Sequence, residues 1–147
     1  MKTLPLLLAL AGFSACADVP RDPDGTLDRV SSSRGFRVGV IAGGPSQHSA
    51  LQRSLVERVA ATTGARPALE QGAAEPLLLR LEQGELDLVV GEFQHNSPWA
   101  ERVHLLPPLA RTRIGEEEAI VAGAARHGEN GWIMLLDRES RASAGAE

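Results

Sequence analysis

Cys16 is the only thiol among the 147 residues, and a cysteine sulfur can be acylated, oxidised, paired or bound to a metal. It follows Met1, Lys2 and the uncharged run LPLLLALAGF at residues 4–13, a positive start and an apolar stretch that read as an export signal. Spanning a bilayer takes about 20 apolar residues, and Asp18 ends this run before that length is reached. A lone cysteine in an exported chain has no disulfide partner, so covalent modification is the chemistry that accounts for it.

Other chemistry-bearing residues give weaker patterns. Metal binding needs three or four converging ligands. The only histidines are His48, His95, His104 and His127, no two of them at i, i+4, and no metal is expected. Glu116, Glu117 and Glu118 form a carboxylate run, which reads as a solvated edge and not as an acid and base pair. Gly43, Gly44 and Ser46 precede a helical pattern, but without a lysine or a fuller glycine motif they read as a plain strand-to-helix turn. There is no G-x-S-x-G and no serine placed beside both a base and an acid, so the chain is read as a non-enzyme without a cofactor. The polar segment EFQHNSPWAER gathers Glu92, His95, Asn96, Trp99 and Arg102 after an expected strand, where open α/β sheets place ligands. These five are the candidate ligand-binding residues. Trp99 is either an aromatic platform for a ligand or partner, or a cap folded over the sheet edge.

The order Phe13, Ser14, Ala15, Cys16 resembles the lipobox of bacterial lipoproteins, with Phe13 where leucine is usual. The resemblance implies cleavage before Cys16 and two or three acyl chains, palmitate among them; each buried CH2 contributes only about 0.8 kcal/mol, so lasting anchorage needs more than one chain. The competing reading is an ordinary secretory signal cut near Ala15 or Ala17. Ala17 in place of aspartate resembles the pattern sorted to the outer membrane, on the periplasmic side, with the inner membrane as the alternative.

The elements that would position these residues follow from periodicity. Residues 17–34, ADVPRDPDGTLDRVSSSR, hold two prolines, a glycine, three serines and seven charges, too polar to bury, and with Cys16 they read as a flexible tether over 16–34. An 18-residue coil of that kind spans roughly 20–25 Å. Residues 140–147 are small and polar and read as a disordered tail. Between them, 35–139 is long enough for one domain. FRVGVIA at 36–42 reads as a buried strand, and Gln47–Thr63 as a helix with Leu51, Leu55, Val59 and Thr62 inward, capped by Ser46 and stopped by Gly64. Residues 65–70 form a short strand, 74–83 a helix with Leu77, Leu78 and Leu81 inward, and 86–91 a second buried strand. Residues 103–106 and 118–122 follow as strands, and 130–139 as a closing helix. Alternation of this kind predicts α/β, a three-layer sandwich with a mostly parallel sheet.

Three stretches resemble the bacterial periplasmic solute-binding proteins of the amino-acid-binding type. GTLDRVSSSRGFRVGV (25–40) is similar to that family's short helical lead and first strand. LEQGELDLVVGEFQHNSPWAERVHLLPPL (81–109) is similar to its passage from a helix through G-x-x-D, here Gly84 and Asp87, into a strand, a loop and a further strand. EEAIVAGAARHGENGWIMLLDRE (117–139) resembles its strand, turn and closing helix. Asp87 also has a local reason to be there, since it can accept backbone donors at a turn. The resemblance implies lobe one of a type II binding protein, without the roughly hundred residues of a second lobe. The family's ligand arginine falls four places before Val103, where this chain has Trp99.

The expected function is therefore that of a membrane-anchored periplasmic lipoprotein resembling the substrate-binding component of an ABC-type amino-acid transporter. It binds a small solute, an amino acid or organic acid, or docks on an inner- or outer-membrane protein. The alternative is a homodimerising accessory lipoprotein without a ligand. With 15 Lys and Arg against 19 Asp and Glu, nucleic acid is not an expected partner.

Overall fold

The computed structural model describes residues 22–145; the export signal, Cys16 and the first part of the expected tether lie outside the described residues. Six strands form one sheet: β1 Gly35–Ile41, β2 Arg66–Gly72, β3 Leu88–Gln94, β4 Val103–Leu105, β5 Ala110–Ile114 and β6 Glu117–Arg126. Their order is β2-β1-β3-β6-β4, with β5 also on β6. β1 pairs in parallel with β2 and β3, whereas β6 runs antiparallel to β3, β4 and β5. Five strands therefore point one way and β6 alone opposes them. β4 and β5 lie end to end along β6, a single edge strand interrupted by Leu106–Leu109.

Helices cover both faces. On one side lie α1 Thr26–Ser33, α2 Ser46–Thr63 and α4 Asn130–Ala144, burying Val30, Phe36, Val38, Leu55, Val59, Leu88, Val121, Trp132 and Leu136. On the other side α3 Ala74–Glu82 buries Leu77, Leu78 and Leu81 against Val89, Phe93, Val103 and Ala122. β6 is rich in alanine and glycine because both layers press on it: a Cβ at Gly123 would meet a Leu106 methyl at 2.6 Å. Gly64, at φ 66, ends α2 in the left-handed region that a residue with a Cβ resists.

Four expectations need correction. The segment 22–34 is not a flexible tether. Thr26–Ser33 is helical, with Val30 fully buried, because the nearby charges act as helix caps. Asp22 accepts from Leu27 N at the start of α1 and from Gly131 N and Trp132 N at the start of α4, while buried Glu129 accepts from Asp24 N and Thr26 N, each at 2.9 Å. The expected tail is also ordered as far as Ala144. Ser140 and Ser143 are buried, and Ser140 Oγ donates to Pro107 O at 2.7 Å, so small residues here allow close packing. β5 was not expected at all; Arg111 and Arg113 alternate there with Ala110, Thr112 and Ile114, and the arginines stay on the wet side of an edge strand. Finally, Pro45 takes the N-cap position of α2 in place of Ser46.

Replacing Asp22 by alanine removes the acceptor for three N–H groups at two helix starts. A loss of about 1–3 kcal/mol in unfolding free energy is expected, measured by urea denaturation; an unchanged midpoint would show that the cap contributes nothing.

Candidate functional site

The two ends of the sheet carry different chemistry. At the end where β1 and β3 begin, Asp87 has a side chain only 1% exposed. Its carboxylate accepts from Arg37 Nη2 at 2.7 Å, from Arg37 N at 2.8 Å and from Arg29, and its carbonyl accepts from the Trp132 indole at 2.7 Å. Burial alone pushes the Asp87 carboxyl up; the hydrogen bonds from Arg37 and Arg29 outweigh it and hold the group below the usual carboxylate range. The same bond raises Arg37 above its ordinary value. Arg37 also donates to Gly84 O at 2.8 Å, so the G-x-x-D turn is bound to β1 at both ends. A cavity of about 730 Å³ opens beside this network, lined among others by Arg29, Arg66, Arg126 and Glu129.

At the opposite end, where the parallel strands finish, the β1–α2 turn passes through Gly43 and Gly44 at φ 110 and 86. Glu92, near the end of β3, reaches over that turn to bond His48 Nδ1 on α2 at 2.8 Å. A Cβ on Gly44 would fall on the Glu92 carboxylate, so only glycine leaves room for it. His48 and Glu92 are both largely buried. Farther along this end, a groove of about 300 Å³ is lined by His95, Arg111, Arg113 and Glu118.

The five residues expected to form one site do not converge. Glu92 points to the α2 side. His95 joins the groove beside β5, and Asn96 is exposed on the turn after β3. Trp99, in a short 3-10 helix Pro98–Glu101, packs on the α3 side against the second core cluster. The Arg102 guanidinium lies 4.4 Å from the Trp99 ring centroid and also bonds Glu82, with Nε at 3.2 Å. The Trp99 ring is therefore already covered, and Arg102 is already paired. His48 was missed as a partner of Glu92, although β1 and β3 are neighbours, Glu92 stands in the last half of β3 and His48 in the first turn of the helix that follows β1. Arg111 and Arg113 were missed with β5.

No family model and no curated protein matches the chain by sequence. By structure it resembles the arginine-bound form of domain 1 from TmArgBP, at 14% identity over 78% of this chain and 98% of that chain, with a TM-score of 0.65. It also resembles the ancestral cationic amino acid solute-binding protein AncCDT-1, at 10% identity over 80% and 93% of the two chains, TM-score 0.63. A third likeness is to the VFT2 domain of BvgS from Bordetella pertussis, at 11% identity over 82% and 92%, TM-score 0.60. The fold is that of a single lobe of a periplasmic solute-binding protein.

Because the Asp87 carboxyl is held below its unfolded value of about 3.9, its ionised form stabilises the fold above that pH, and the contribution is lost as pH falls through the lower folded value. In Asp87→Asn this acid-side slope should flatten, with stability at neutral pH down by about 3 kcal/mol. Urea midpoints from pH 2.5 to 7, read by tryptophan emission, check both; parallel profiles for the two proteins would contradict the assignment.

Proposed function

We propose that this chain is a lipid-anchored periplasmic lipoprotein whose single lobe holds a small solute at the end of the sheet where β1 and β3 finish. In this reading it serves as the substrate-binding partner of an ABC-type transport system. The solute class is an amino acid or a related organic acid. The observation that carries the reading is the match to domain 1 of TmArgBP: 98% of that chain is covered and its arginine-bound form exists, which supports a lobe of this size holding an amino acid without closing on a second one.

The chemistry of this end supports the reading. Glu92, oriented by His48, offers negative charge to an ammonium group. Gly43 and Gly44, in the turn beneath Glu92, let the backbone approach a ligand closely. The likeness of residues 13–16 to a lipobox supports anchorage through Cys16, and Ala17 supports the outer membrane.

Calorimetry against amino acids, arginine included, and small organic acids is expected to find a micromolar to millimolar ligand. Glu92→Gln should weaken that ligand about tenfold, roughly 1.4 kcal/mol, without loss of fold. Flat titrations throughout with folded protein would overturn the solute reading. Cys16→Ser should move the protein from the membrane to the periplasmic fraction, and undiminished membrane attachment would overturn the anchor.

A further inference from the structure

We propose that the groove between α2 and the outer strand β2 binds a short aliphatic monocarboxylate, at a site separate from the solute end: none of Gly43, Gly44, His48 and Glu92 lines it. The groove holds about 310 Å³. At the roughly 30 Å³ that a water molecule occupies in the liquid, that is room for about ten non-hydrogen atoms. Its floor is Val40, Val56 and Val90, and Leu69 of β2 stands at its rim. Leu69 pairs with Val38, and Gln71 with Val40, so both share the face of the sheet that α2 covers. Leu69 is nonetheless 61% exposed, because α2 lies over the middle of the sheet, with Leu55 and Val59 packed in the cluster that holds Val38, Leu88, Val90 and Val121. An apolar strip is left open beside β2.

The polar residue in the wall of this groove points to what fills it. Gln52 is only 4% exposed, and its side-chain amide forms no hydrogen bond with another described residue. An amide taken out of water without a partner costs about 1–3 kcal/mol, a cost that leucine at the same position would not incur. The charged residues of the lining are Arg53 and Glu70. Glu70 is bonded to Arg80 of α3, on the opposite face of the sheet. Arg53 has no ion-pair partner among the described residues, Glu57 one turn along α2 included. A carboxylate therefore meets the Arg53 guanidinium and the Gln52 amide, whereas an ammonium group finds no free acid in the lining. Because α2 leaves the end of β1 and returns to the start of β2, Ser49, Gln52 and Arg53 lie toward Gln71, and Val56 lies toward Leu69. The carboxylate head belongs at the first end, where the start of the helix also favours an anion, and the hydrocarbon chain at the second.

Calorimetric titration of the full chain with sodium octanoate tests the site. Octanoate is expected to bind with a sub-millimolar Kd, and octylamine, with the same chain length and the opposite charge, about tenfold more weakly or worse. Arg53→Gln, at an exposed position, and Gln52→Leu should each weaken octanoate about tenfold. Gln52→Leu should also unfold at a temperature no lower than the native chain does, since it removes an amide that lacks a partner. Absence of octanoate binding, equal binding of octylamine, or undiminished octanoate binding in either variant overturns the site. A lower unfolding temperature for Gln52→Leu overturns it too, because it shows that water already satisfies the amide.

Discussion

A carboxylate removed from water is costly unless charge and hydrogen bonds replace what the solvent gave, and the end of the sheet where β1 and β3 begin is organised around meeting that cost for Asp87. Arg29 comes from α1, Arg37 from the adjoining β1 and Trp132 from α4 near the other end of the chain, so three elements meet at one residue. The two arginines keep about 40% of their side chains exposed. Their stems cover apolar surface while their heads stay partly wet, which keeps the desolvation cost on one group instead of three. With this corner fixed, the registers of β1 with β2 and β3 follow, and those registers carry Gly43, Gly44 and Glu92 to the opposite end together.

Much of this fold was legible in the sequence because burial imposes a period. The apolar runs of β1 and β3, the leucines of α3 and the glycines after α2 and α3 are each required by local physics, and they stand where they were expected. What escaped were positions where a polar residue does structural work that composition counts as solvation. The charges of residues 22–34 look like a tether until Asp22 and Glu129 are seen capping each other's helices. Ser140 and Ser143 look like a tail until both are seen buried, with Ser140 bonded to Pro107 O.

The site was less legible than the fold, for a related reason. Loop residues close in sequence were expected to act together, but a loop that crosses from one end of the sheet to the other spreads them along its path. Glu92 stays at the end where β3 finishes, while Trp99 and Arg102 travel to the α3 side and satisfy each other there. The partner Glu92 does find, His48, is 44 residues away in sequence and adjacent only because β1 and β3 pair. Pairings of that kind come from topology, which a single sequence states only indirectly.

The place of β6 has a consequence for how the chain acquires its structure. The strand that pairs with β3, β4 and β5 is the last one made, at Glu117–Arg126. Until it arrives, β3 lacks one neighbour and β4 and β5 have none, and the N-terminal caps that depend on Glu129 and on α4 cannot form. Long-range closure of this kind comes late and is slow. The lobe can therefore close only when β6 and α4 are present, and both of its ends then lock in a single step.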